Sequence, residues 1–119
     1  FVARLSGSTA EFLNMWCMMT AGKQPFRMVN GELTLELKPV LPGWMFKKDG
    51  TFTFQFLGSC KVTLHNPSRQ DTYLEEVVVS RTLIRSGSEL VTIEGAVINN
   101  PYAKRVRNGE FESIDMFYE

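Results

Sequence analysis

Turn-forming residue pairs recur about every ten residues from Asn30 onward, and this spacing limits what the chain can fold into. Asn30-Gly31 and Asp49-Gly50 are strong signals for a tight turn between two β-strands. Apolar and polar residues alternate between the turns, which gives each segment one apolar face. Three segments show this face most clearly: Leu33, Leu35 and Leu37; Phe52, Phe54 and Phe56; and Cys60, Val62 and Leu64. The pattern predicts about seven to nine short strands in an antiparallel β-sandwich of the jelly-roll kind.

The second half of the chain is interpreted in the same way. We predict strands over Tyr73–Ser80, Arg81–Arg85 and Glu89–Glu94, with a turn after each of the last two. Asn108-Gly109 is predicted to be the last hairpin turn, and it leads into a strand over Phe111–Tyr118. Nothing in this half of the chain has the period of a strong helix.

One segment before Asn30 does have a helical period. Ser8 and Glu11 form a capping box, and Gly22 suits the position just after a helix. We therefore predict a helix over Ser8–Ala21. Core packing is the simpler role for its apolar stripe, and a groove for a cofactor or a partner is the alternative. Four residues form that stripe at positions i, i+3, i+4 and i+7: Phe12, Met15, Trp16 and Met19.

Composition excludes several classes of function. The 119 residues suit one domain, and 13 basic side chains balance 13 acidic ones, so no net charge favours nucleic acid or an anionic membrane. No apolar run approaches the ~20 residues that span a bilayer. Cys17, Cys60 and the single histidine, His65, are too few for a disulfide framework or a typical zinc site. We expect no metal, no cofactor, no nucleic acid and no membrane partner.

The residues just before the predicted helix form the strongest candidate site. Ser6-Gly7-Ser8-Thr9 places hydroxyl groups and a flexible glycine where free backbone N–H groups and the helix dipole can hold an anion. Arg4 lies two residues upstream and can add positive charge. Simple helix capping is the more economical interpretation, because serine is common at this position. An anion site is the alternative.

Other candidates for chemistry are weaker. His65 has no serine or cysteine at a recognised catalytic spacing, so it is a poor catalytic residue. Trp44 lies near prolines and is expected in a satellite of the core, with stacking on a sugar as the alternative. Two small charged sets are interpreted as solvated, the second on a hairpin arm: the carboxylates Glu75, Glu76, Glu110 and Glu112, and the cations Lys104, Arg105 and Arg107. An acid pair is the alternative for the carboxylates, and a binding patch is the alternative for the cations.

The order of motifs in residues 1–67 resembles the C-terminal end of the inverting disaccharide phosphorylases of glycoside hydrolase family 94. The stretch Arg4-Leu5-Ser6-Gly7-Ser8-Thr9-Ala10-Glu11-Phe12 is most similar to the 1,2-β-oligoglucan phosphorylases of that family. Beyond Pro67 the similarity is lost. The later motifs, in chain order, are Asn30-Gly31-Glu32-Leu33, Pro39-Val40-Leu41-Pro42-Gly43-Trp44, Phe54-Gln55-Phe56-Leu57-Gly58-Ser59 and His65-Asn66-Pro67.

This resemblance implies an architecture and a site. Residues 1–24 would end a helical barrel, and residues 25–119 would form a C-terminal β-sandwich. The family binds phosphate with a threonine and a glycine, which correspond to Ser6 and Gly7, with serine in place of threonine. The family's catalytic aspartate lies upstream of this sequence, so the chain alone would be inactive. Inorganic phosphate and an oligosaccharide would be substrates of a cytoplasmic parent enzyme.

Three hypotheses follow. The first is a C-terminal piece of a β-glucan phosphorylase, and the start at Phe1 rather than Met fits the expectation that the chain is part of a longer protein. The second is a non-catalytic carbohydrate-binding or structural β-sandwich with no phosphate role. It predicts that an exposed aromatic strip, with Trp44 as a candidate member, binds glucan. The third is an interaction domain in which the amphipathic helix docks on a partner.

Overall fold

The structure, a computed structural model, describes residues 19–22, 24–57 and 59–118. Within these residues the chain forms two sheets, which confirms the prediction that the fold is mainly β. A short 3-10 helix covers Gly43–Met45, and one α-helix, α1, covers Tyr102–Arg107. The strands in chain order are β1 (Phe26–Val29), β2 (Glu32–Glu36), β3 (Thr51–Phe56), β4 (Cys60–His65), β5 (Val79–Ser86), β6 (Glu89–Glu94), β7 (Val97–Ile98) and β8 (Ser113–Tyr118).

The smaller sheet has the order β1-β2-β7, and its hairpin forms as the sequence predicts. Asn30 and Gly31 have φ angles of 52° and 81°, the left-handed values that a tight type I′ turn requires. Val29 is therefore paired with Glu32 across the turn. Gly95, with φ of 80°, bends the chain between β6 in the larger sheet and β7 in this one.

The larger sheet has the order β3-β4-β8-β5-β6, and one of its pairs corrects the prediction of an antiparallel sheet. Strands β4 and β8 run parallel, with Val62 opposite Ile114 and Leu64 opposite Met116. Parallel neighbours need a long crossover connection, and here β5, β6, β7 and α1 supply it. Local hairpin signals carry no information about a partner so distant in sequence.

The predicted hairpin turn at Asn108-Gly109 is wrong, because these two residues end helix α1. Asn108 and Gly109 donate backbone hydrogen bonds to the carbonyls of Lys104 and Val106, and Gly109 has φ of 80°. Ala103 and Val106 are buried on one side of the helix. A left-handed glycine suits a helix end as well as a hairpin, so the sequence signal was ambiguous.

The strand predicted over Tyr73–Ser80 is wrong for most of its length. Backbone hydrogen bonds from Leu74 to Asp71 and from Val77 to Leu74 fold this stretch into successive turns. Strand β5 begins only at Val79. The predicted turn after it is confirmed, since Ser86 pairs with Glu89.

The core lies on the inner faces of the two sheets and contains the alternating residues that the sequence indicates. Phe54, Phe56 and Cys60 are buried, and Phe26 of β1 stacks on Phe56 with centroids 5.9 Å apart. Further along the strands the fully buried side chains include Leu35, Val62, Leu64, Ile84, Ile98, Ile114 and Met116. The division at residue 24 stays a prediction.

Candidate functional site

The predicted phosphate residues, Ser6 and Gly7, lie outside the described residues, as does Arg4. The predicted helix over Ser8–Ala21 lies outside them up to residue 18. Met19 and Thr20, which follow, are helical. Gly22 has φ of 93°, the left-handed value expected just after a helix.

The end of that segment is attached to the β domain through the backbone. The N–H of Val40 donates to the carbonyl of Met19 at 2.6 Å, and the N–H of Lys38 donates to the carbonyl of Ala21 at 3.2 Å. Gly22 suits this approach, because its φ of 93° disfavours a side chain and a Cβ there would lie 3.3 Å from the backbone of Lys38, a tight contact. Lys38 and Val40, which follow β2, therefore hold the backbone at Met19 and Ala21, the end of the predicted helix.

Residues 39–46, named here the proline loop, are in turn held by residues 69–73. The hydroxyl of Thr72 accepts the N–H of Leu41 at 2.8 Å and donates to the carbonyl of Pro39 at 2.7 Å. The Asp71 carboxylate accepts the N–H of Gly43 at 2.7 Å. These bonds join segments about thirty residues apart, and they fix the loop without regular secondary structure.

Trp44 lies at the tip of the proline loop, and the structure shows that its predicted place in a core satellite is wrong. Its side chain is 77% exposed. The 3-10 turn directs Gly43 and Phe46 inward, which leaves the indole between them pointing to solvent. A large apolar ring held outward on a fixed turn is a possible binding surface.

The outer face of the larger sheet brings His65 to a carboxylate that the sequence did not reveal. The Nε2 atom of His65 lies 2.9 Å from Oδ1 of Asp115. Phe117, two residues further along β8, stacks on the imidazole, and the Arg81 guanidinium lies 4.4 Å from the centre of the same ring. Among the described residues no hydroxyl or thiol is bonded to His65, so this set lacks the nucleophile of a catalytic triad.

The basic cluster lies on α1 and not on a hairpin arm, and its central member is already paired. Arg105 donates to both oxygens of Glu89, at 2.8 and 3.1 Å, and to Glu110 at 3.0 Å. Its guanidinium lies 4.6 Å from the ring centre of Phe111. The hydrogen bond from Arg105 lowers the pKa of Glu89 below its usual value. The positive charge of Arg105 is therefore paired with two carboxylates of the same chain.

The predicted solvated carboxylates divide into two kinds. Glu75 and Glu76 are exposed, as expected. Glu110 binds Arg105, and Glu112 accepts the backbone N–H of Gly87 at 2.5 Å, so both stabilise local structure. None of them is placed as an acid pair by any contact found among residues 19–22, 24–57 and 59–118.

Burial raises the pKa of the Cys60 thiol to about 11, which keeps it protonated and unreactive at neutral pH. In the part of the chain that the structure describes, no group of three or more His, Cys, Asp or Glu side chains is arranged to hold a metal ion. None of the described helices has the length and apolar character needed to cross a membrane.

Comparisons with family models, with curated proteins and with solved structures find no match for this chain. The class of protein is therefore defined by the fold alone. The fold is mainly β, with two sheets, and the backbone that follows β2 is hydrogen-bonded to Met19 and Ala21.

Proposed function

We propose that this chain is the C-terminal β domain of an inverting β-glucan phosphorylase and that it carries part of the phosphate site. The attachment of Met19 and Ala21 to the proline-loop side of the domain supports this proposal. On the predicted helix over Ser8–Ala21, holding the last residues would also position the start, next to which Ser6 and Gly7 lie in the sequence. The resemblance in residues 1–67 supplies the substrate class.

The proposed chemistry needs positioning from this domain rather than proton transfer. In an inverting phosphorylase, an oxygen of orthophosphate attacks the anomeric carbon while the glycosidic C–O bond breaks. A carboxylic acid outside this chain protonates the departing oxygen. Phosphate is already an anion, so the site must orient it. The hydroxyl of Ser6 and backbone N–H groups at a helix start are donors suited to that task.

We also propose a more specific fold for the two sheets. The two sheets form a jelly-roll-like sandwich that closes the enzyme after the last helix of a catalytic barrel, with the boundary near residue 24. The parallel pair β4–β8 is a departure from the simplest jelly roll. It joins β4 to β8 within the larger sheet.

The proposal is tested on the intact protein that carries this sequence. The protein is incubated with β-1,2-linked gluco-oligosaccharides and inorganic phosphate, and the products are resolved by NMR. Formation of α-glucose 1-phosphate, with none when phosphate is replaced by chloride, is the expected result. Release of free glucose at the same rate with and without phosphate would overturn the assignment, and so would a complete absence of turnover with every β-linked glucan tested.

The exposure of Trp44 supports a second candidate function, a non-catalytic carbohydrate-binding domain. Aromatic faces bind the apolar side of pyranose rings, and the indole is available on a fixed turn. Titration of the full chain with gluco-oligosaccharides, followed by tryptophan fluorescence, separates the two functions. Saturable binding that Trp44→Ala abolishes favours the binding domain. No change in fluorescence favours the phosphorylase assignment.

A further inference from the structure

A cleft with a volume of about 450 Å³ lies between the stretch that follows β2 and the stretch that precedes β5. The first stretch contributes Leu37, Pro39 and Val40, and the second contributes Val77–Val79. Tyr118, at the end of β8, also lines it. The size is in the range of sites that hold small molecules, and the lining is mostly aliphatic.

Two buried hydroxyl-bearing residues, Thr72 and Tyr118, line this cleft, and the hydroxyl of Thr72 is already bonded to Leu41 and Pro39. Tyr118 is only 7% exposed, and burial raises the pKa of its phenol. Its hydroxyl makes no hydrogen bond within the described residues. No fully buried polar side-chain atom in that part of the chain lacks a partner, so the hydroxyl oxygen is not fully buried, and Tyr118 is one of the residues that line the cleft. An unpaired O–H donor beside an aliphatic cleft can donate a hydrogen bond to an oxygen atom of a bound ligand.

Two charged side chains line the cleft, and they form an ion pair with each other. Glu36 and Lys38 belong to its lining, and they are matched with each other, with Nζ of Lys38 3.9 Å from Oε1 of Glu36. Val40, Tyr73 and Val78 are about half exposed, at 48%, 54% and 56%. The two valine side chains and the ring of Tyr73 form the rim of the cleft, and such a rim favours an uncharged ligand.

We propose that this cleft is a binding site for a compact, uncharged and mostly apolar molecule that carries one hydrogen-bond-accepting oxygen, which accepts from the Tyr118 hydroxyl. The aliphatic lining from Leu37, Pro39 and Val77–Val79 packs on the apolar body of the ligand. A free sugar fits poorly, because most of its hydroxyl groups would face aliphatic side chains without a partner. The site is therefore distinct from the phosphate and glucan sites proposed above.

The test uses the full chain and two probes with the same phenyl ring and two-carbon side group, acetophenone and ethylbenzene. Only acetophenone has an acceptor oxygen. Amide chemical shifts are followed by NMR while each probe is added to the wild type, to Tyr118→Phe, and to Tyr102→Phe. Tyr102 lies on α1 against Phe111, away from the cleft, so it is a matched control. A fourth protein, Val78→Asp, places a charge at the exposed rim without disturbing the core.

The expected result is saturable shifts at cleft residues with acetophenone, and binding of ethylbenzene that is about 3- to 10-fold weaker. Tyr118→Phe should reduce the affinity for acetophenone to that for ethylbenzene, Tyr102→Phe should change neither, and Val78→Asp should weaken both. The proposal is overturned if no cleft residue shifts up to the solubility limit of the probes. It is also overturned if Tyr118→Phe binds acetophenone as tightly as the wild type does.

Discussion

The imidazole of His65 and the ring of Phe117 lie almost parallel, with an interplanar angle of 7° and centroids 4.4 Å apart. Strand β8 lies between β4 and β5, so the other neighbour of Phe117 is Arg81, whose guanidinium is also 4.4 Å from the ring centre. Phe117 therefore stands between a histidine and an arginine. This stack crosses the parallel pair and joins three strands of the sheet.

Replacement of Phe117 by leucine should destabilise the fold by about 1–2 kcal/mol, because both the aromatic stack and the cation–π contact are lost while an apolar side chain remains. Urea unfolding followed by circular dichroism measures the change. Leu90→Ala on the edge strand β6 is the control, since Leu90 is 49% exposed and should lose less than about 0.5 kcal/mol. Equal losses in the two variants would show that the stack contributes nothing specific.

The same stack shows where prediction from sequence stops. The β1–β2 hairpin follows from Asn30-Gly31 because a turn of two residues fixes the register of its own strands. His65 and Asp115 are fifty residues apart and meet only because β4 pairs with β8. The outward turn of Trp44 depends on the hold of residues 69–73 on the proline loop, which is again a distant contact. Local periodicity cannot reveal such pairs.

Gly43→Ala should be one of the most destabilising small substitutions in the chain. A Cβ at this position would lie 1.9 Å from the backbone oxygen of Arg69, so the two loops would have to separate, at a cost of about 3 kcal/mol or more. Gly87→Ala is the matched control. Its cost is about 1 kcal/mol, from a φ of 56° alone, because nothing lies within 4 Å. Denaturant titration measures the unfolding midpoint of each variant. Similar midpoints would contradict the close packing of the proline loop on residues 69–73.

Thr72→Val keeps the shape of a buried side chain and removes its hydroxyl. The N–H of Leu41 and the carbonyl of Pro39 each lose a partner, which should cost about 1–3 kcal/mol. Thr92→Val on the exposed face of β6 should have almost no effect. Thermal unfolding of the two variants measures the loss. A melting temperature of Thr72→Val equal to that of the wild type would mean that the hydroxyl does not hold the proline loop.

Arg105→Met should make stability less dependent on pH. The folded pKa of Glu89 lies below its ordinary value of 4.5, so its ion pair stabilises the fold above that pH, and the contribution is lost as the pH falls through the folded pKa. The melting temperature of the variant should therefore fall below that of the wild type at pH 7, and the gap should narrow in acid. Arg107→Met, on the same helix, should leave the pH profile unchanged. A gap that is the same at every pH would show that the ion pair is not the cause.

The most direct test measures KM for inorganic phosphate in the intact protein that carries this sequence, in Ser6→Ala, Ser6→Thr and Ser59→Ala. A hydrogen bond from a hydroxyl to an anion is lost only in Ser6→Ala, so its KM for phosphate should rise about 10- to 100-fold while KM for the oligosaccharide is unchanged. Ser6→Thr restores the hydroxyl and should behave as the wild type, as should Ser59→Ala in the exposed turn before β4. An unchanged KM for phosphate in Ser6→Ala would contradict the assignment of Ser6 and Gly7 to the phosphate site.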